Sequence, residues 1–127
     1  MKIKTALKFA KEIKASDIRA FARAVMESFE NSKDYDDFSA DTDEGEYRFI
    51  RSDEIDRIHR ESIEQIVDEC YDLEKIKGGM GNLANYFHFD YDQFAEDCKS
   101  NDGFGHHFSG YDGSEHENDD FYMFRTN

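Results

Sequence analysis

Apolar residues occur only in short groups along the chain, and no apolar run approaches the roughly 20 residues that a membrane-spanning helix needs. The fold must therefore come from amphipathic segments that share a core. The 12 Phe and 7 Tyr residues among 127 supply bulky apolar area for that core, since a buried ring removes roughly 150–250 Å² from water. Length and aromatic content together predict a single folded domain over residues 1–127.

The formal net charge of −14 is distributed unevenly along the chain. Residues 1–25 hold seven basic and two acidic side chains, whereas residues 26–127 hold nine basic and 28 acidic ones. We therefore distinguish a basic N-terminal helical segment from an acidic body. Because phosphates repel such a body, direct binding to a nucleic-acid backbone is disfavoured.

Helical periodicity predicts two helices in the first part of the chain, over about 3–14 and 17–30, with Ser16 as the N-cap of the second. The second helix carries its apolar side chains at i, i+3, i+4, i+7 and i+11, the spacing of a core-facing stripe. Those side chains are Ile18, Phe21, Ala22, Val25 and Phe29.

Strand patterns are fewer than helical ones. The polar residues 31–44 predict a loop, and residues 45–51 predict a short strand around Tyr47. Residues 104–109 and 119–125 predict two strands joined by a loop rich in Gly and Asp. The predicted fold class is α+β: a small, mostly helical domain with a short strand near residue 47 and a C-terminal β-hairpin.

The longest predicted helix covers about 53–76, with Ser52 as its cap and the sequence GGMGN (78–82) as its end. A shorter helix is predicted over about 91–99, where Asp90 and Gln93 form a capping box. Phe94 and Cys98 lie one turn apart on its predicted inner face. The predicted apolar stripe of the long helix is Ile55, Ile58, Ser62, Ile66, Cys70 and Leu73.

The opposite face of the long helix is acidic. At about 1.5 Å rise per residue, its successive carboxylates climb roughly 5–6 Å, which is close to the separation of phosphates along a DNA strand. Such a face can present a DNA-like potential to a basic DNA-binding groove. The simpler interpretation is an ordinary solvated helix face. Its members are Glu54, Glu61, Glu64, Asp68 and Asp72.

Three histidines, His106, His107 and His116, lie within eleven residues of one another. Imidazole and carboxylate ligands together suit zinc or another divalent ion. However, adjacent histidines in a strand point to opposite faces, and a merely polar loop explains the same residues. Whether they bind a metal is left open. The nearby acids are Asp112, Glu115, Glu117, Asp119 and Asp120.

The sequence contains no GxSxG, P-loop, HExxH or dinucleotide-binding motif. Cys70 and Cys98 form no CxxC site or disulfide framework, and free thiols are typical of a cytosolic protein. The first residues, MKIKTALK, lack the apolar stretch of a secretory signal. These observations predict a cytoplasmic protein that is not an enzyme and needs no cofactor.

The segment NLANYFHFDYDQFAEDCKSNDGF (82–104) resembles the C-terminal signature of the ArdA-type antirestriction (alleviation of restriction) family. FSGYDG (108–113) and FYMF (121–124) are similar to the closing hairpin of that family. Glu96 and Cys98 stand where the family pattern has Arg and Leu. The matching positions are Tyr86, Asp90, Tyr91, Phe94, Ala95 and Asp97.

The resemblance implies a non-enzymatic protein, encoded by a phage or mobile element, that acts in the cytoplasm of a bacterial host cell. Such proteins resemble bent B-form DNA, dimerise, and occupy the DNA-binding groove of type I restriction–modification enzymes. A related nuclease such as a CRISPR effector is an equivalent partner in this hypothesis. The predicted partner-binding residues are Glu54, Glu61, Glu64, Asp68, Asp72, Asp90, Asp92, Glu96 and Asp97.

Two other functions stay open. An immunity protein that neutralises a basic nuclease toxin needs the same acidic surface, so composition does not separate it from a DNA mimic. A small metal-dependent enzyme built on the three histidines is the other alternative. No nucleic acid or membrane is expected as a direct partner, and a homodimer is possible in either binding hypothesis.

Overall fold

The computed structural model describes residues 1–70, 72–86 and 88–127. Tyr71 falls in the predicted long helix and Phe87 in the segment that carries the family resemblance, so these two positions, with the Tyr86 side chain, lie outside the described residues. The chain forms two compact units: a sheet unit, Met1–Ile55 with Asp102–Asn127, and a helical unit, Asp56–Asn101. The sequence predicts a single domain over residues 1–127, and this division into units does not test that prediction.

The fold class is α+β, as predicted, with more than half of the chain helical. Within the described part of the chain, no helix is both long enough and apolar enough to cross a bilayer. The elements in chain order are α1 (Ile3–Glu12), α2 (Ile18–Asn31), β1 (Asp37–Thr42), β2 (Gly45–Arg51), α3 (Ile55–Cys70), α4 (Leu73–Gly78), a 3₁₀ helix (Gly81–Tyr86), α5 (Tyr91–Phe108), β3 (His116–Asn118) and β4 (Phe121–Arg125).

The sheet unit is built on four antiparallel strands in the order β1-β2-β4-β3. Strand β1 lies in the segment for which the sequence predicts a loop, so that prediction is wrong. Its apolar side chains, Phe38 and Ala40, alternate with polar ones, and this period of two places both in the core. Phe38 pairs with Phe49 of β2 in register, and the two rings stack with centroids 5.1 Å apart.

Helices α1 and α2 cover one face of this sheet. Both helices begin and end close to the predicted positions, although the N-cap of α2 is Asp17 rather than Ser16. The Asp17 carboxylate accepts a 3.0 Å hydrogen bond from the Ala20 N–H, which satisfies a backbone donor that the helix start leaves unpaired. The buried core between helices and sheet contains Phe9, Phe21, Val25, Phe38, Tyr47, Phe49, Phe121 and Met123.

The other face of the sheet is covered by the last turn of α5. The prediction of a strand over residues 104–109 is wrong, because residues 104–108 are helical. Helical spacing puts Phe104 and Phe108 on one side, where Phe104 contacts Tyr122 and Phe108 contacts Phe124 with ring centroids 5.5 and 5.2 Å apart. Gly103, at φ 72°, interrupts the helix shortly after its predicted end near residue 99.

The C-terminal hairpin is present, but β4 pairs with β3 rather than with residues 104–109. Its turn holds Asp119 at φ 53°, a left-handed conformation that Asp tolerates better than most residues. The Asp119 carboxylate accepts hydrogen bonds from the Thr5 hydroxyl at 2.6 Å and the Lys8 ammonium at 2.7 Å. These contacts tie the hairpin to α1 and lower the pKa of Asp119, first through Lys8 and then through Thr5.

In the helical unit the long helix is shorter than predicted, because α3 ends at Cys70 and a separate helix, α4, starts at Leu73. The predicted apolar stripe is right at its two ends, since Ile55 is buried and Leu73 packs against the cluster of Ile63 and Val67. It is wrong at Ile66, which is 42 % exposed, and at Cys70, which is exposed. The buried positions of α3 recur every four residues instead. They are Ile55, His59, Ile63 and Val67.

Helix α5 begins as predicted, with the Asp90 carboxylate accepting a 3.0 Å hydrogen bond from the Gln93 N–H. Its inward-facing residue is Ala95, which packs with Ile63 and Val67. Cys98 is partly buried against this cluster, as predicted for the inner face. The same prediction is wrong for Phe94, which is 41 % exposed.

Candidate functional site

The predicted partner-binding residues fall mainly in the helical unit, which holds eleven acidic and five basic residues. Glu54 is the exception, since it belongs to the sheet unit. Its N–H donates a 3.0 Å hydrogen bond to the Arg51 carbonyl in the turn before α3. Because α3 begins at Ile55, Glu54 is not part of the predicted helical face.

Asp72 also lies outside that face, because α3 ends two residues before it. Its carboxylate instead caps α4 by accepting a 2.9 Å hydrogen bond from the Lys75 N–H. The acidic face on α3 itself therefore consists of Glu61, Glu64 and Asp68, spaced by about 4.5 and 6 Å along the helix axis. The prediction of a longer carboxylate row on one helix is wrong.

Two arginines lie one helical turn before carboxylates of this face. Arg57 contacts Glu61 at 3.1 Å, and Arg60 contacts Glu64 at 3.4 Å. Arg60 also forms an ion pair with Asp92 of α5. Two guanidinium charges thus face three carboxylates, so the N-terminal half of the face is partly neutralised within the molecule and its negative potential is weaker than the sequence pattern predicts.

Asp68 has a different environment. Its Oδ1 accepts a 2.6 Å hydrogen bond from the Tyr91 hydroxyl of α5. This hydrogen bond, with desolvation and the nearby carboxylates of Asp68 and Glu64 adding to it, raises the pKa of Tyr91 to about 12. The phenol is therefore a fixed hydrogen-bond donor across the physiological range, and it orients the Asp68 carboxylate.

A surface hollow of about 620 Å³ lies beside this hydrogen bond. We call it the acidic hollow. Four carboxylates line it, and none of the four forms an ion pair among the residues that the structure describes. The helical unit thus concentrates unneutralised negative charge here rather than along α3. The lining residues are Asp68, Glu69, Cys70, Asp72, Leu73, Glu74 and Tyr91.

Glu69 and Glu74 are not among the predicted site residues. A search for one helical face misses Glu69 because neighbouring residues of a helix lie about 100° apart, so Glu69 is off the face that holds Asp68. It misses Glu74 because α3 ends at Cys70 and a separate helix starts at Leu73. The local density of acids in positions 68–74 is the signal that points to them. The hollow brings them together with two predicted residues, Asp68 and Asp72.

The four predicted residues on α5 and at its start do not form a second carboxylate row. Asp90 caps the helix, Asp92 pairs with Arg60, and Asp97 accepts a 2.9 Å hydrogen bond from the Gln93 side chain. Glu96 is exposed and helps line a cavity of about 320 Å³ in which Asp56 pairs with Lys99 at 2.9 Å. Most of these carboxylates thus have local structural partners.

The three histidines do not converge. His106 and His107 lie in the last turn of α5, with the His107 ring against Phe108 at 4.7 Å, whereas His116 lies in β3. His116 Nδ1 lies 3.0 Å from a Glu12 oxygen. Among residues 1–70, 72–86 and 88–127, no group of three or more His, Cys, Asp or Glu side chains is arranged to hold a metal ion.

No protein-family model, curated protein or solved structure matches the chain.

Proposed function

We propose that this protein is a non-enzymatic DNA mimic that inhibits a bacterial defence enzyme by occupying its DNA-binding groove. The proposed targets are type I restriction–modification enzymes or a related nuclease such as a CRISPR effector. The observation that carries the proposal is the acidic hollow, where the carboxylates of Asp68, Glu69, Asp72 and Glu74 gather with no cation partner in the described part of the chain.

Surface carboxylates that form no ion pair can still accept charge-assisted hydrogen bonds from Arg and Lys side chains. A carboxylate has several acceptor sites, so Asp68, Glu69 and Asp72 keep this capacity although each already accepts one hydrogen bond within the chain. A DNA-binding groove supplies such side chains at high density, and the net charge of −14 steers the protein toward it. The Tyr91 hydroxyl orients the carboxylate of Asp68. Helix α4 fixes the backbone positions of two of the acids, because Asp72 is its N-cap and Glu74 lies in its first turn.

The resemblance to ArdA-type proteins supports the same proposal, because its matched residues Asp90, Tyr91 and Asp97 belong to the helical unit that carries the hollow. Tyr91 lines the hollow directly. Inhibition is by competition: DNA and the protein need the same groove, so no chemistry is required of this chain.

The test is a DNA-cleavage assay with a purified type I restriction enzyme and, separately, a CRISPR effector nuclease. Wild-type protein is compared with a hollow variant, D68N/E69Q/D72N/E74Q. In this variant the amide oxygen at position 72 still caps α4, and the one at position 68 still accepts from Tyr91. The matched control is D41N/D43N/E46Q/E117Q, which removes the same charge from exposed positions of the sheet unit.

We expect inhibition of at least one of these enzymes by the wild-type and control proteins, and at least a roughly tenfold weaker effect of the hollow variant. Equal loss in both variants would show that net charge alone acts. Inhibition of a basic nuclease toxin, with no effect on either defence enzyme, would replace the proposal with the immunity hypothesis.

A further inference from the structure

Helices α1 and α2 leave an apolar groove of about 500 Å³ on the surface of the sheet unit. Its apolar lining consists of Ile3 and Leu7 from α1 with Ala22 and Met26 from α2. Ile3 is 53 % exposed, and Leu7 and Met26 are half-buried. We call this surface the α1–α2 groove. A grouped apolar lining at a surface is typical of an interaction site.

Charged side chains of α2 line the same groove in a definite order. Arg19 and Arg23 lie in the N-terminal half of α2, and Glu27 and Glu30 lie in the C-terminal half of this helix. Spacings of three and four residues keep all four on one side of the helix. In the described chain, none of these four side chains takes part in an ion pair.

This order opposes the dipole of the helix. A helix favours acidic residues near its N-terminus and basic residues near its C-terminus. In α2 the first turn has Arg19 and no acid, and the last turn has Glu30 and no base. The Asp17 N-cap stabilises the start of α2, but the four groove charges oppose the helix dipole, so favourable interaction with that dipole does not explain their order.

We infer that the α1–α2 groove is the interface of a two-fold symmetric homodimer. Antiparallel pairing of two α2 helices places Arg19 of one copy opposite Glu30 of the other, and Arg23 opposite Glu27. The midpoint between positions 19 and 30 of α2 and the midpoint between positions 23 and 27 differ by only about half a residue. A single two-fold axis through this point therefore forms both kinds of pair. Each pair occurs twice, as an isologous interface requires.

The same pairing accounts for the other two observations. The apolar side chains of both copies pack against each other around the two-fold axis and lose their contact with water. The N-terminus of each α2, which carries the two arginines, faces the C-terminus of the partner's α2, which carries the two glutamates. Charges that oppose the dipole of their own helix therefore complement the dipole of the partner helix. A uniformly acidic or basic partner would meet repulsion at one half of the groove, whereas a second copy presents the opposite charge to both halves.

This inference does not depend on the proposed function, since the groove and the acidic hollow belong to different units of the chain. Its test is sedimentation equilibrium of the full chain between about 1 µM and about 1 mM. The wild type is compared with R19E/R23E, E27R/E30R, and the quadruple exchange R19E/R23E/E27R/E30R. Circular dichroism checks that each variant is folded.

We expect a wild-type dimer whose dissociation constant rises at least about tenfold in each double variant, since repulsion replaces four attractive pairs. The quadruple variant restores complementarity and dimerises again, as does an equimolar mixture of the two double variants. The neutral variant R19Q/R23Q gives an intermediate dissociation constant. A wild type that stays monomeric throughout, or double variants that dimerise like the wild type, would overturn the inference.

Discussion

The Tyr91 hydroxyl of α5 donates a 2.6 Å hydrogen bond to Asp68 of α3. This contact joins the two longer helices of the helical unit at the edge of the acidic hollow. It gives one carboxylate of the proposed recognition surface a fixed orientation, while the neighbouring acids remain available to cations from outside.

The Tyr91–Asp68 contact makes stability sensitive to alkaline pH. The folded-state pKa of Tyr91 is raised from 10.0 to about 12, so its stabilisation is fully present below about pH 10 and is lost as pH rises through about 12. Urea unfolding measured across this window should show a steeper loss of stability for the wild type than for Y91F. Equal slopes would show that the hydrogen bond is not maintained in solution.

The stabilisation from the Glu12–His116 contact should be lost at acidic pH. Desolvation raises the pKa of Glu12, but the hydrogen bonds from His116 and Asn118 together lower it by more. The net shift of the Glu12 pKa is therefore downward. The contact therefore stabilises the protein above the ordinary carboxylate pKa near 4.5 and ceases to do so as pH falls through the folded-state value. In urea unfolding, E12Q should be less stable than the wild type at about pH 6 and should converge with it at lower pH.

The two phenylalanines Phe49 and Phe94 provide a matched test of the core. Phe49 is fully buried and stacks on Phe38, so F49A should destabilise the sheet unit by about 3–5 kcal/mol. Phe94 is 41 % exposed, and F94A should cost less than about 1 kcal/mol. Thermal unfolding of both variants measures the difference, and similar losses would contradict the described burial.

Gly105 lies close to the loop that precedes the C-terminal hairpin. A Cβ at this position would come within 2.3 Å of the Gly113 carbonyl oxygen, so G105A must move backbone and should lose about 1–3 kcal/mol of stability. At Gly110 the nearest atom to such a Cβ is 3.9 Å away. G110A is therefore the control, and chemical denaturation should leave it near the wild type.

Periodic apolar patterns predict α1, α2 and β2, because each of these elements buries a regularly spaced set of side chains. The same approach misses β1, where a polar sequence conceals the alternation of Phe38 and Ala40. It also misplaces the buried stripe of α3, because His59 counts as polar in such a pattern although it is 2 % exposed. Burial lowers the pKa of this histidine, which favours the neutral form that an apolar environment accepts.

The sequence predicts the candidate site only in part, for a related reason. Spacing along the sequence identifies acids that share a helical face, but it does not show that Arg57 and Arg60 neutralise Glu61 and Glu64. Nor does it show that the chain leaves the helix after Cys70 and gathers the following acids around a hollow. Ion pairing and helix termination depend on tertiary contacts, and these decide which charges remain unneutralised.

The central claim is that this protein and DNA compete for one groove. Equilibrium competition between the protein and a fluorescent DNA duplex for a purified type I restriction–modification enzyme tests it most directly. The account predicts mutually exclusive binding, with the apparent dissociation constant of the protein rising in proportion to DNA concentration. A ternary complex of enzyme, DNA and protein, or an enzyme that binds DNA equally well at every concentration of the protein, would contradict it.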